Sequence, residues 1–286
     1  MEKVTIIIPA YNEEANLPKL IDGIQRLGFP KEIIVINDGS TDQTEKKAKA
    51  FASVRVISHP YNKGNGAAVK TGLLNAATEF IVVFDADGQY QPEDIPNLLT
   101  GLGQYDLVVG ARTKESETKM NRNMANWIFS RLGSFITNFR IKDMTSGFRA
   151  LKRSYALKFL NLYPDGFSFP TTSTMCFLMS GLNVLFIPVK CFKRAGGISK
   201  IRPLGDGMKF IVLIFRIVMF SPLKVFLPIG LLLFLSGVLW SIKTILLTSG
   251  FSSGGLLLLV TGLNLIFFGF MFDQIMALRK DIIQVR

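Results

Sequence analysis

Up to about residue 112, short runs rich in β-branched residues alternate with longer stretches of mixed polarity. The runs are Val4–Ile8, Ile33–Ile36, Val54–Ile57, Phe80–Phe84 and Leu107–Val109, and between them lie Glu13–Leu27, Asp42–Phe51, Gly66–Ala77 and Pro92–Leu102. This alternation predicts an α/β fold, a mostly parallel Rossmann-like sheet with crossover helices. Ligands of such sheets sit beyond the carboxyl ends of the strands, which here carry residues 9–13, 37–42, 62–64, 85–89 and 110–112.

Toward the C-terminus the pattern changes. Val225–Ile242 holds 18 residues without a charge and Thr244–Phe272 another 29, interrupted by a Gly- and Ser-rich stretch at 248–255. Two runs of nearly full membrane length predict a transmembrane hairpin with spans at about 225–247 and 254–277, rather than a buried hairpin of a soluble protein. The loop has no Lys or Arg, whereas Lys209, Arg216 and Lys224 precede the spans and Arg279, Lys280 and Arg286 follow them, so both ends are expected in the cytosol. Lys243 and Asp273 fall near opposite faces of the bilayer. The apolar run before Pro9 is too short for a signal-peptide core, so the first domain is expected to stay in the cytosol, and with the two spans the protein is expected to be integral to the plasma (inner) membrane. Ahead of the spans, Met208–Phe220 is largely apolar, and Lys209 and Arg216, seven apart, share one face of an amphipathic helix expected to lie along the membrane surface. The expected organisation is a cytosolic domain at 1–204, an interfacial helix at 205–222 and the hairpin with a short tail at 223–286.

Net charge is +12. Eight basic residues against one acid fall between Lys190 and Lys224, and ten against three between Arg112 and Arg153, which suits an anionic partner. With two cysteines and one histidine, neither a disulfide framework nor a Cys/His zinc site can be built, and His59, in Ser-His-Pro with no nucleophile motif near it, is not expected to be catalytic. Any metal must be held by oxygen ligands.

Residues 64–71, Gly-Asn-Gly-Ala-Ala-Val-Lys-Thr, nearly match a P-loop and a dinucleotide fingerprint, but Val69 stands where each needs a small residue. Asp85-x-Asp87-Gly88 is not an EF-hand either, because Pro96 occupies the position of the bidentate glutamate. What remains is a pair of carboxylates and an amide oxygen at a strand end. Asp87 and Gln89 are suited to share Mg²⁺ or Mn²⁺ with water and substrate phosphates.

Four ordered motifs, residues 6–14 (Ile-Ile-Ile-Pro-Ala-Tyr-Asn-Glu-Glu), 35–42 (Val-Ile-Asn-Asp-Gly-Ser-Thr-Asp), 62–64 (Asn-Lys-Gly) and 84–89 (Phe-Asp-Ala-Asp-Gly-Gln), resemble the family-2 inverting glycosyltransferases of the A-type fold. With Gly110-Ala111-Arg112, Arg122, the stretch Asp143–Arg149, Arg194, Ser199-Lys200 and the hairpin behind them, the chain resembles the polyprenyl-phosphate glycosyltransferases, the group of dolichol-phosphate mannose synthase and undecaprenyl-phosphate glucosyltransferase. The resemblance implies that Pro9, Tyr11, Glu13, Ile36 and Asp38 hold the base and ribose of a UDP- or GDP-linked sugar. It implies that Asp85, Ala86, Asp87 and Gln89 hold the diphosphate through Mg²⁺ or Mn²⁺, with Asp85, Asp87 and Gln89 the metal ligands, and that Gly64, Arg194 and Lys200 line the donor site. Arg112, Arg122, Asn126 and Ser146 would meet a polyprenyl phosphate, with Asp85, Asp87, Arg112 and Arg122 carrying the catalysis. The implied partners are the nucleotide sugar, the lipid phosphate and the bilayer, with no nucleic acid; a homo-oligomer stays open.

The resemblance departs in one place. Mannose synthases of the group usually have acidic residues after Gly166-Phe167-Ser168-Phe169, where this chain has Pro170-Thr171-Thr172. A phosphate nucleophile, already ionised near neutral pH, needs no general base; a sugar hydroxyl would. A processive glycan synthase is disfavoured further because neither Trp127 nor Trp240 follows a Gln-x-x-Arg pattern. A non-catalytic membrane adaptor is disfavoured because Asp85, Asp87 and the basic residues are all present.

The topology is testable. A cysteine at Ser252, with Cys176 and Cys191 replaced, is expected to react with an impermeant thiol reagent added outside intact cells, and one at Ser199 is not. The opposite labelling would reverse the orientation.

Overall fold

In the computed structural model the described residues are 2–113, 115–116, 120–166, 168–193, 203–248, 250 and 252–284. The chain forms two compact units, Met1–Leu213 and Ile214–Arg286.

The first unit opens β1 (Val4–Ala10), α1 (Leu17–Gln25), β2 (Lys31–Asn37), α2 (Thr44–Lys49), β3 (Val54–Ser58), α3 (Asn65–Asn75) and β4 (Phe80–Val83). It continues with a 3₁₀ turn at Pro92–Asp94, α4 (Ile95–Gly101), β5 (Leu107–Arg112), α5 (Met120–Thr137), β6 (Arg149–Lys152), α6 (Arg153–Lys158), α7 (Phe169–Met179) and β7 (Val184–Val189). All five expected strands and four expected helices are present. The seven strands lie in the order β3-β2-β1-β4-β6-β5-β7, parallel except for β6, which runs against both β4 and β5. β7 closes one edge, where Pro188 removes a backbone donor with little loss to the ladder.

Alternation along the strands divides the core. Ile6 and Ile8 of β1, Val35 of β2, Val82 of β4 and Val108 of β5 pack with Leu17, Ile21 and Ile24 of α1 and Ile95 and Leu98 of α4. Ile7 points to the other face and presses on Gly72 of α3. Burial of both faces is what permits near-continuous apolar strands in a parallel sheet.

Helix α8 spans Pro203–Val218, starting and stopping earlier than the expected 205–222. Proline suits a first helical turn, and Ser221 before Pro222 disfavours continuation of the helix. The division into compact units falls inside α8, not at either of its ends. Of the two charges expected to share its polar face, the side chain of Lys209 lies outside the described residues.

The second unit continues from α8 into α9 (Leu223–Thr248) and α10 (Ser253–Gln284). Leu223–Leu247 and Ser253–Leu278 are each long and apolar enough to cross a membrane. Their apolar side chains point outward, with Leu232 at 67% and Leu246 at 78% exposure, which a core hairpin of a soluble protein would not tolerate. The helices meet through glycine: a Cβ on Gly230 would stand 2.9 Å from the carbonyl oxygen of Gly262, and one on Gly237 2.9 Å from that of Gly255. Small residues allow this backbone approach where no hydrophobic drive exists between apolar helices in lipid.

Replacing Gly262 by Val would put a Cβ 2.5 Å from the Phe234 nitrogen, so the helices must separate. Gly262→Val is expected to cost about 1–3 kcal/mol, read as a lower unfolding midpoint of the detergent-solubilised protein, while the exposed Leu232→Val leaves it near the parent value.

Candidate functional site

The order of strands reverses between β1 and β4, so the loops after β1, β2 and β4 gather at one edge of the sheet. β6, antiparallel, enters from that same edge: Arg149 stands opposite both Val83 of β4 and Val109 of β5. The segment leading into β6 is thereby brought beside the strand ends.

At the end of β2, the buried Asp38 carboxylate accepts hydrogen bonds from the backbone N–H of Lys63 and of Gly64, both at 2.9 Å. Its Oδ1 lies 2.7 Å from His59 Nδ1, and His59 Nε2 lies 2.9 Å from Thr71 Oγ1 on α3. The single histidine is a tie between β2 and α3, a role its sequence context did not disclose. The loops after β1 and β2 brace each other. Asn12, in the left-handed region with φ of +55°, accepts from the Thr41 N–H at 2.8 Å and donates its own N–H to Ser40 Oγ at 3.0 Å. Buried Glu13 donates its N–H to Thr44 Oγ1 and accepts from Asn16 Nδ2, each at 2.9 Å. Tyr11 is half-buried at this edge, while Pro9 and Ile36 pair in register with their side chains enclosed in the sheet.

Gly64 has φ of +107°, and a Cβ there would come within 2.5 Å of the Asp165 carbonyl oxygen. The next amides, of Gly66 and Ala67, donate to the carbonyls of Gly166 and Asp165 at 3.2 and 2.9 Å. The N-terminus of α3 is therefore occupied by backbone, a second reason beside Val69 why residues 64–71 are no phosphate cradle. The Asp165 side chain pairs with Lys70.

Beyond β4 the chain turns at Gly88, φ +71°, and the Gln89 N–H donates to Asp87 Oδ1 at 3.2 Å. Asp85 and Asp87 are half-buried, and Ala86 between them is buried. Asn65 Nδ2 donates to Asp85 Oδ1 at 3.2 Å, and a Cβ on Gly147 would overlap Asp85 Oδ2. Gln89 is buried, with its amide nitrogen 3.4 Å from the Phe192 carbonyl. Among the described residues no group of three or more His, Cys, Asp or Glu gathers, so an ion here would take at most two carboxylates and draw its other ligands from water, the amide and a diphosphate. Hard oxygen donors of this kind fit Mg²⁺ or Mn²⁺.

Next to this turn lies a network of buried charges. Arg112, at the end of β5, donates through Nε and Nη2 to the two oxygens of Asp143 at 2.7 and 2.8 Å, and Asp143 also accepts the Arg112 backbone N–H. Arg112 Nη2 reaches Thr145 Oγ1 as well. Burial works against the Arg112 charge, but the Asp143 carboxylate more than offsets it and holds the guanidinium above its ordinary range. Asn126 Oδ1 accepts from the N–H groups of Met144 and Thr145, and Ser146, fully buried, lies 3.1 Å from the Tyr90 hydroxyl. Of the residues expected at the lipid phosphate, Arg112 and Asn126 both bond to Thr145, and Ser146 is the next residue along, bonded to Tyr90 and Arg149. Arg112 Nη1 has no partner among the described residues. The side chain of Arg122 and the whole of Arg194 and Lys200 lie outside the described residues.

Arg149 is the residue that sequence reasoning underrated. It is fully buried, donates to Pro170 O at 2.9 Å, to Ser173 Oγ and to Ser146 O, and lies over the Phe169 ring. Burial pushes its guanidinium down to about 10, so it remains a cation near neutral pH. Its signals were its place at the end of the stretch Asp143–Arg149 and its position at the head of a short apolar run. Thr171 and Thr172, where acids were considered, are buried in α7.

Residues 5–160 match the sequence profile of Glycosyl transferase family 2, and residues 221–278 that of the GtrB C-terminal hairpin. An undecaprenyl-phosphate mannosyltransferase from Micrococcus luteus is 29% identical over 212 residues, 69% of this chain and 87% of that protein. A dolichol-phosphate mannosyltransferase from Pyrococcus furiosus is 33% identical over 214 residues, 70% of this chain and 59% of that protein. Glucosyl-3-phosphoglycerate synthase from Mycobacterium tuberculosis, solved with Mn²⁺, uridine diphosphate and phosphoglyceric acid, shares the fold with a TM-score of 0.60 at 23% identity, over 76% of this chain and 78% of that one.

Removing Asp143 would strand the buried Arg112 charge. Asp143→Ala is expected to destabilise the domain by about 3–5 kcal/mol, seen in denaturant unfolding. Asp87→Asn, at a half-buried position, is expected to leave the unfolding midpoint within about 0.5 kcal/mol.

Proposed function

The chain belongs to glycosyl transferase family 2, and from that premise we propose that it transfers a sugar from a nucleoside-diphosphate donor to a polyprenyl phosphate, with inversion, at the cytosolic face of a membrane in which its C-terminal hairpin is anchored. The observation that carries this reading is the acidic turn Asp85–Gln89 at the reversal point of the sheet, in one chain with two helices of membrane-spanning length. Relatives that act on undecaprenyl and dolichyl phosphates support the acceptor, and a structural neighbour solved with Mn²⁺ and uridine diphosphate supports the donor and the ion.

On this reading Asp85 and Asp87, with Gln89, hold Mg²⁺ or Mn²⁺, which when bound neutralises the departing diphosphate. Tyr11, Glu13 and Asp38 lie at the donor's nucleoside end, where the braced loops keep the pocket shape fixed. A phosphate oxygen of the lipid attacks the anomeric carbon in line as the bond from that carbon to the diphosphate oxygen breaks. The electron pair leaves with the nucleoside diphosphate. No proton has to be removed from the nucleophile, which agrees with the threonines at 171–172 and with an Asp165 already paired to Lys70. Arg112 offers its Nη1, which has no partner among the described residues, and Arg122, Arg194 and Lys200 supply further positive charge.

The deciding experiment incubates the purified protein with a panel of nucleotide sugars and either a short polyprenyl phosphate or the same polyprenol, and follows prenyl-linked sugar by mass spectrometry. Product is expected from the phosphate alone, and Asp165→Asn is expected to turn over within a few fold of the parent. Equal use of the polyprenol, or loss of turnover in a folded Asp165→Asn, would move the reading to a base-assisted hydroxyl transferase. EDTA is expected to stop the reaction and Mn²⁺ or Mg²⁺ to restore it, and Asp87→Ala is expected to lose at least about a hundredfold in rate. Full activity in EDTA would remove the metal from the scheme.

A further inference from the structure

The chain has one histidine, and it is the first residue beyond β3, at the ligand edge of the sheet. Its backbone N–H donates to the Asn37 carbonyl at 2.9 Å, one residue before Asp38. The imidazole is 7% exposed and the Asp38 carboxylate 4%. A carboxylate so enclosed must be met by donors, and among the described residues three reach it: His59 Nδ1 and the Lys63 N–H on Oδ1, and the Gly64 N–H on Oδ2. A carboxylate has room for about four. One acceptor position, on Oδ2, remains open.

The direction of that position is set by what holds Oδ1. A carboxylate cannot donate, so His59 Nδ1 carries the proton between them, and Nε2 is left to the Thr71 hydroxyl at 2.9 Å. With Thr71 on Nε2, the proton of a neutral ring is kept on Nδ1, since the partner of one ring nitrogen decides the state of the other. Thr71, His59 and Asp38 thus form one chain of bonds from α3 to the end of β2. Beside it the backbone leaves no slack. Gly39 has φ of +69°, and a Cβ there would come within 2.6 Å of the Asn62 nitrogen. The loop held by Asp38 then runs from Gly64 into Asn65, which donates to Asp85 Oδ1 at 3.2 Å.

We propose that His59 is a positioning residue for the donor: by fixing the Asp38 carboxylate it aims the open Oδ2 position at an N–H or O–H group of the nucleoside and holds the 62–64 loop in place beside it. It acts through Asp38 and does not itself touch substrate. The inference rests on the reading of this edge as a nucleoside-diphosphate site. A buried histidine that served packing alone would govern stability and leave the nucleotide affinity of the folded protein unchanged.

Two substitutions divide the ring between its ends. His59→Asn places an amide N–H where Nδ1 stands and reaches no further, whereas His59→Gln reaches toward Thr71 and loses the donor to Asp38. The full-length protein in detergent is titrated calorimetrically with uridine diphosphate and with guanosine diphosphate in the presence of Mn²⁺, and the unfolding midpoint of each variant is measured beside it. For whichever nucleotide the parent binds, His59→Gln is expected to weaken binding about tenfold and to raise the KM of the matching nucleotide sugar alike, while kcat and the KM of the polyprenyl phosphate stay within about threefold. His59→Asn is expected to bring binding back to within about twofold of the parent. Thr71→Val keeps the shape of α3 but frees the ring to move its proton off Nδ1, and is expected to weaken binding about threefold. Parent affinity in a folded His59→Gln, or in Thr71→Val should His59→Gln not fold, would overturn the inference. So would a folded His59→Asn as weak as His59→Gln, or a fall in kcat in place of the rise in KM. A parent that binds neither nucleotide would sink the donor reading and the inference with it, whereas nucleotide binding that no variant alters sinks the inference alone.

Discussion

The pair formed by Arg112 and Asp143 is the interaction on which the ligand edge of this domain depends. Both groups are nearly removed from water, so each needs the other, and the two-pronged geometry leaves one way to join the end of β5 to the segment before β6. That segment then carries Thr145 and Ser146 to their partners and sets Gly147 against Asp85. The position of an acidic turn on β4 is thus fixed partly by an ion pair two strands away. An apolar replacement of the pair would supply burial but no register.

Much of the fold was legible as a pattern of polarity. Five strands, four helices and the hairpin follow from runs of apolar residues and their lengths, because burial on both faces leaves no room for polar alternation. β6 and β7 escaped that reading for separate reasons. β6 has four residues, begins with Arg149 and ends with Lys152, and only its insertion between β4 and β5 gives it a strand's environment. β7 carries Pro188, which argues against a central strand and is tolerated at the edge. Sequence order also cannot show an antiparallel strand entering a parallel sheet, and that entry is what brings residues 143–149 to the site.

At the site, spacing announced which residues assemble but not where their atoms point. Asp85 and Asp87 follow from a strand end, as does Asp38. The inward bonds of Asp38 to the 63–64 loop, and the closure of α3 by the carbonyls of Asp165 and Gly166, depend on contacts between segments far apart in the chain. With that helix terminus occupied, negative charge at this edge must be met by cations instead of by backbone amides. On the proposed reading, the density of arginine and lysine after residue 111 would answer that electrostatic need, and the acidic turn, repulsive to a diphosphate by itself, would become attractive with a divalent ion on it.

The glycines of α9 and α10 carry a consequence for how the membrane part is assembled. Gly230 and Gly237 are seven residues apart, and so are their partners Gly262 and Gly255, so the contacts recur after two turns on each helix. Sliding α9 by one turn would bring Phe226 and Leu233, or Phe234 and Ser241, to these places, a bulky side chain against backbone at one of them at least. The hairpin therefore works as a lock with two teeth: the connecting loop can vary in length and composition without altering the fit, whereas one residue inserted between either pair of glycines would turn a tooth out of its slot.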